Sequence, residues 1–363
     1  MTGPESYSFQ PDYASPPGET LRQVLADLDL TQIDLANRAG LSTKHVNQII
    51  KGSAPISTDT ALTLERVTGV PAGFWNRLEA RYRENVLRTN PAEMSEAEAA
   101  WLASLPLKSL EKRGHLPAVT DRRFLRDAAF AFFGVADMTA WLRIWQQPVA
   151  SFKRTKSFQS DPGSVAAWLR IGELAARSRA VQPFSKENFR HALTEARSLS
   201  RQADFLQPLQ ELCAEAGVIV LYVPELEGCR ASGAAWWLSP AKAVIQLSDR
   251  YKSDDHFWFS FFHEAAHILM HSKKETFIDH GSEDDALEDE ANRFASMTLL
   301  SQRERQQLPS LKSTNQVKQF ARSVGVSDGI VVGQLQHLKL WDWKQGRDLK
   351  RTVSFEDSDC VSV

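Results

Sequence analysis

The sequence predicts an α+β protein that is predominantly α. Three observations carry this reading. Apolar residues at helical spacing, broken by helix-stop residues, fill most of the first 207 positions, and three short β-branched or aromatic runs follow between 218 and 248. After them comes one long apolar helix holding His263-Glu264-Ala265-Ala266-His267. At 363 residues there is length for two or three domains, and 42% hydrophobic with 24% charged residues is a globular composition. A net charge of -2 excludes a protein coated in positive charge but leaves room for one small basic face. Cys213, Cys229 and Cys360 form no close pair, so neither a disulfide framework nor a cysteine metal site is expected. The N-terminus lacks a basic start and an apolar core, and no later run reaches the roughly 18 to 20 apolar residues that span a bilayer. A cytoplasmic location is the expectation.

Residues 1–17, rich in Pro, Ser and Tyr without periodicity, are expected to be a disordered arm, with order beginning at Gly18. Leu21, Val24, Leu25 and Leu28 then fall at helical spacing. Thr31 caps a second helix carrying Ile33, Leu35 and Ala36; Gly40 ends it and Ser42 caps a third. Val46, Ile49 and Ile50 turn that third helix inward, which leaves Thr43, Lys44, Asn47 and Gln48 facing out. Those residue types read base edges or hold phosphates, and Gln32 at the start of the second helix can bond a phosphate together with the helix N-terminus. Two more helices are expected, around Thr58 to Thr68 and from Pro71 to Tyr82.

The run Thr31-Gln32-x-x-Leu35-Ala36-x-x-x-Gly40-Leu41-Ser42 resembles the Xre/Cro-type helix-turn-helix. Gly18-Glu19-x-Leu21-Arg22 before it and Pro71-x-x-Phe74-Trp75-x-x-Leu78-x-x-x-Tyr82 after it resemble the HigA-like antitoxin branch, over residues 18–83. The resemblance implies a five-helix DNA-binding domain and a homodimer reading two operator half-sites one helical turn apart.

Residues 84–207 form a helical middle region, with breaks at Asn90-Pro91, Leu105-Pro106, Gln147-Pro148, Asp161-Pro162-Gly163 and Gln182-Pro183. Ser95 to Glu98 reads as a helix start. Phe124, Leu125, Ala128, Phe132 and Phe133 read as a core-facing stripe, with Trp141, Trp145 and Trp168 in the same core. The basic run Lys153-Arg154-Thr155-Lys156 reads as a solvated loop, the sharper alternative being a nucleic-acid or peptide contact.

Residues 208–343 carry the chemistry. A helix through Leu209, Leu212 and Cys213 ends at Gly217, and strands are expected at 218–223, 233–238 and 243–248. The last is the candidate edge strand for holding a substrate backbone by strand addition. Asp254 or Asp255 is expected to cap the next helix, whose back face is Phe257, Trp258, Phe261 and Phe262. On its other face His263 and His267, four apart, can share one metal ion, and Glu264 can take a proton from water. A chance match to this pattern occurs on the order of once per hundred chains of this size. Two histidines leave a tetrahedral ion short of a third protein ligand, and no histidine stands at the metzincin spacing. A carboxylate from the acidic helix 287–300 must serve. Glu288 shares a face with Asn292, Ala295 and Leu299, so Asn292 can orient a ligand histidine; Glu290, about 200° round the helix, is the main alternative. His271 reads as a supporting or packing residue, and His280 with Glu283-Asp284-Asp285 as a solvated connection. The tail 344–363 has too few apolar residues for a further domain, and 354–363 is expected to be disordered.

His-Glu-x-x-His followed by Glu288-x-Glu290-Ala291-Asn292-x-Phe294-Ala295 resembles the ImmA/IrrE metallo-endopeptidase family, firmly over 217–300 and loosely to Leu335. That resemblance implies a zincin-like domain, zinc held by His263, His267 and Glu288, and Glu264 as general base. Ligand type favours zinc and leaves manganese open. Ser301 and Asp328 stand where the family commonly has proline, away from the metal. Members of the family include proteases that cut a repressor protein. Together the two resemblances imply a regulator that binds operator DNA and carries a peptidase acting on a repressor or toxin-antitoxin component. The alternatives are a HigA-like antitoxin or repressor whose metal domain senses a signal or binds a partner without proteolysis, and a peptidase whose N-terminal module docks protein.

Overall fold

The structure, a computed structural model, describes residues 15–153, 161–271, 277–279 and 286–353. Most of the expected arm, the tail from Ser354 with Cys360, Arg154 to Lys156, His280 and Glu283 to Asp285 lie outside them. The fold is α+β and predominantly α, in two compact units, 1–94 and 95–363.

The first unit holds α1 (Pro17–Asp27), α2 (Gln32–Ala39), α3 (Thr43–Ile50), α4 (Thr58–Thr68) and α5 (Ala72–Thr89). Helix begins at Pro17, one residue before the expected onset, because a proline at the first helical position gives up an N–H that has no partner there. Thr31 Oγ1 accepts from the Asp34 amide at 3.1 Å while Asp34 accepts from the Thr31 amide at 3.0 Å, a reciprocal cap that starts α2. Gly40, at φ 66°, ends it, and Ser42 caps α3 through the His45 amide. Leu21, Leu25, Leu35, Val46, Ile49, Leu64 and Trp75 form the core. Ile33 is not part of it. It is 60% exposed, since Leu35 and Ala36 take the inward face and Ile33 lies about 200° from Leu35. The last helix runs past Tyr82 to Thr89, carrying Arg83–Glu79 and Arg88–Glu84 pairs one turn apart.

The second unit begins with α6 (Glu96–Ala103), α7 (Leu107–Lys112), α8 (Arg122–Phe133), α9 (Met138–Lys153), α10 (Pro162–Ser178), α11 (Lys186–Leu199) and α12 (Leu206–Glu215). Ser95 and Glu98 cap α6 reciprocally. The buried stripe of α8 is Leu125, Ala129, Phe130, Phe132 and Phe133, whereas Phe124 is 36% exposed and Ala128 only half-buried. Positions 125, 129, 132 and 133 follow the helical period; a stripe starting at Phe124 does not. Trp141 and Trp145 meet Phe133 edge-on. Trp168, placed by sequence in their company, instead stands over the sheet, its indole N–H donating to the Val223 carbonyl at 2.9 Å.

The sheet joins β1 (Val218–Tyr222), β2 (Gly233–Ser239), β3 (Lys242–Leu247) and β4 (Phe277–Asp279) in the order β1-β3-β2-β4. β1 is parallel to β3, with Val220 opposite Ile245; β2 is antiparallel to both β3 and β4. The expectation of an edge strand at 243–248 is therefore corrected. β3 has a neighbour on each side, so its backbone groups are already used in ladders and have none to offer an added strand. Among the described residues β1 and β4 are the edges.

α13 (Asp254–Met270) lies beside the sheet and buries Phe257, Trp258, Phe261 and Phe262 in the main core with Leu209, Val218, Ile245 and Val331. α14 (Ala286–Leu299), α15 (Gln302–Arg305), α16 (Thr314–Val324) and α17 (Asp328–His337) follow. Neither Asp254 nor Asp255 caps α13; Ser253 occupies the N-cap without a side-chain bond. Both carboxylates are taken by the end of the chain instead. Lys350 Nζ donates to Asp255 at 2.6 Å, the Arg351 amide donates to Asp254 at 3.1 Å, and the Val353 amide bonds the Lys252 carbonyl. Burial raises the Asp254 carboxyl, opposed by the Ser327 hydroxyl and Arg351.

Candidate metal centre

One turn of α13 separates His263 from His267, both buried, and their Nε2 atoms stand 3.1 Å apart. From α14 Glu288 reaches across to them. Its carboxylate oxygens lie 3.0 Å from His263 Nε2 and 3.5 Å from His267 Nε2. One ligand atom from each of the three residues falls within 4.8 Å of the others. Burial, then the adjacent His263 and His271, pushes His267 down to about 2, so its ring is neutral. His263 Nδ1 sits 3.1 Å from Asn292 Oδ1. An amide oxygen only accepts, so the proton belongs on Nδ1 and the lone pair of Nε2 faces the cluster. Two imidazole nitrogens and a carboxylate converging on one point suit zinc or a similar divalent ion. The donor set fits a metal.

Glu264 is fully buried on the same helix. Its carboxylate is accommodated by Gly233, the first residue of β2: a Cβ there would stand 2.6 Å from Glu264 Oε1 and 2.9 Å from its Cγ. The strand against the site is thus β2, not β3. Sequence reasoning passed over Gly233, although a glycine opening a strand signals close approach of another group.

Residues 227–335 match the IrrE N-terminal-like domain, a peptidase family. Residues 21–75 match the helix-turn-helix family. These matches support a metallopeptidase-type domain at one end and a DNA-binding regulator at the other. No curated protein matches the chain. The IrrE-like match runs from just before β2 through α13 and α14 into α17 and stops before the segment that bonds Asp254 and Asp255.

Within the IrrE-like domain the structure brings His263, His267, Glu288 and Asn292 together, with Glu264 buried on the same helix against Gly233. Glu290 stands apart from the three-residue cluster. It faces His271, with Oε2 3.4 Å from His271 Nε2, and its side chain is 55% exposed. In the helix-turn-helix unit Thr43, Lys44, Asn47 and Gln48 line the exposed side of α3, while Gln32, at the first position of α2, is half-buried. No described helix is long and apolar enough to cross a membrane.

Proposed function

We propose that the protein is a cytoplasmic DNA-binding regulator whose IrrE-like domain is a zinc endopeptidase that cleaves a regulatory protein, a repressor or toxin-antitoxin component. In this reading residues 18–83 bind operator DNA and residues 208–343 form the peptidase. The observation that carries it is the meeting of His263, His267 and Glu288 beside a buried Glu264. Those three residues would hold the zinc, or manganese in its place. When bound, the ion supplies Lewis acidity towards water and the scissile carbonyl. Glu264 takes the proton of the attacking water and returns it to the leaving amine. A purely structural site has no use for a buried carboxylate at that position.

On the DNA side, Thr43, Lys44, Asn47 and Gln48 contact base edges or phosphates, and Gln32 holds a phosphate at the N-terminus of α2. A homodimer reads two half-sites, and the exposed Leu62 and Phe74 offer apolar surface for it.

Glu264→Gln separates the peptidase from its rivals. It should keep zinc and operator binding and lower cleavage of a co-encoded repressor or toxin by on the order of 100- to 10,000-fold. If wild type with one equivalent of zinc cuts no such partner under inducing conditions, the peptidase reading fails and a sensor without turnover stands. A module that only docks protein would show no salt-dependent binding to its own promoter.

A further inference from the structure

The last residue of the helix-bound histidine series, His271, has a partner on each side. Its Nδ1 is 2.8 Å from Nδ1 of His267, and its Nε2 is 3.4 Å from Glu290 Oε2. Its backbone N–H still bonds the His267 carbonyl at 3.1 Å, but its own φ and ψ, −105° and 174°, leave the helix there. Two facing Nδ1 atoms form a hydrogen bond only when one of them carries the proton. Were it on His271, the neutral His267 ring would be protonated at Nε2, the atom facing His263 and Glu288. Were it on His267, that Nε2 would keep its lone pair.

Glu290 decides between these arrangements. A carboxylate only accepts, so of the two neutral tautomers of His271 it selects the one protonated at Nε2, in which Nδ1 is an acceptor. We propose that Glu290 and His271 are a positioning pair that holds His267 in its Nδ1-protonated tautomer, directing its Nε2 lone pair at the point shared with His263 and Glu288. The proposal rests on the reading of those three residues as metal ligands. It assigns α14 three separate tasks. Glu288 ligates, Asn292 sets the tautomer of His263 directly, and Glu290 sets that of His267 through His271. Glu290, the rival third ligand on sequence grounds, thereby acquires a different role.

The test is zinc affinity of the full-length protein, measured by competition with a chromophoric chelator. His271→Ala should weaken binding by about tenfold to a hundredfold, and Glu290→Ala should weaken it in the same direction. His271→Asn is the decisive variant. Its Oδ1 can take the place of the Nδ1 acceptor and needs no carboxylate to fix it. Zinc affinity should therefore return towards wild type in His271→Asn, and adding Glu290→Ala to it should change nothing. In the zinc-loaded wild type, nitrogen-15 shifts should show His267 protonated at Nδ1. Thermal melts of the metal-free variants separate a folding defect from a binding one, and Glu290→Ala, at a largely exposed side chain, carries the test if His271→Ala fails to fold. Wild-type affinity in both His271→Ala and Glu290→Ala overturns the positioning pair while leaving the ligands intact. Loss of zinc in Glu290→Ala as complete as in Glu288→Ala also overturns it, and makes Glu290 a ligand. If the wild type itself binds no zinc, the ligand reading beneath both fails.

Discussion

Helices α3 and α13 carry the proposed sites of their units, and they treat polar side chains in opposite ways. α3 buries Val46, Ile49 and Ile50 and leaves Thr43, Lys44, Asn47 and Gln48 in solvent. α13 buries almost its whole length, including His263, Glu264 and His267. A solvated polar face carries no desolvation cost, so nothing in its physics marks it as functional; any surface helix looks the same. Ionisable groups inside a protein are expensive unless bonded, paired or bound to a metal. Their presence is therefore informative by itself. The IrrE-like domain declares its site through burial, whereas the helix-turn-helix unit declares its site only through the spacing of its turns and caps.

That contrast predicts where substitutions will act on stability and where on function alone. The largest effect on stability is expected at Lys350. Its ammonium meets Asp255 at 2.6 Å, with both side chains largely buried. Lys350→Ala leaves a buried carboxylate uncompensated at the first turn of α13, and should lower unfolding free energy by about 3 kcal/mol. Urea denaturation of the full chain measures this. A change below about 0.5 kcal/mol would show that the C-terminal segment rests on the metal helix without holding it.

A smaller effect, confined to catalysis, is expected at Gly233. An added methyl group would have to displace the Glu264 carboxylate, which it meets at 2.6 Å, the three nearest atoms to it all belonging to Glu264. Misplacing a reacting group by about 1 Å lowers rates by up to about a hundredfold. Gly233→Ala should thus reduce kcat by tens of fold and leave zinc affinity within about twofold of wild type. Equal loss of both would mean that β2 shapes the proposed metal site rather than the proposed general base.

The same contrast explains what was legible in the sequence. Caps and stops are local chemistry, so Thr31, Gly40, Ser42 and Ser95 could be read from their neighbours, as could the three strands and the buried back face of α13. The pairing of Glu288 with the two histidines followed from one helical face and one missing ligand. Non-local choices were not legible. A short apolar, β-branched run shows that 243–248 is a strand but not that β1 returns parallel on its far side, which is what makes β3 interior. Asp254 and Asp255 resemble helix caps because Lys350 and Arg351, about a hundred residues later, cannot be seen to arrive. Their arrival turns a solvated cap into a buried ion pair.

The smallest effect expected on the folded protein is on α3. Asn47 and Lys44 are exposed, so replacing either with Ala should shift unfolding free energy by less than about 0.5 kcal/mol. Their effect belongs to DNA. Asn47→Ala should weaken operator binding by about 1 to 3 kcal/mol at the base pair it reads and relax preference there, because a side-chain amide hydrogen-bonds a base edge. Lys44→Ala should weaken all sequences alike and reduce the slope of log affinity against log salt by about one, because an ammonium on a phosphate displaces one counterion without reading sequence. Fluorescence anisotropy with operator and scrambled duplexes at several salt concentrations distinguishes the two patterns. If both variants bind operator as wild type does, the exposed face of α3 is a solvated face and nothing more, and the functional meaning of exposure in this unit must be sought on another helix.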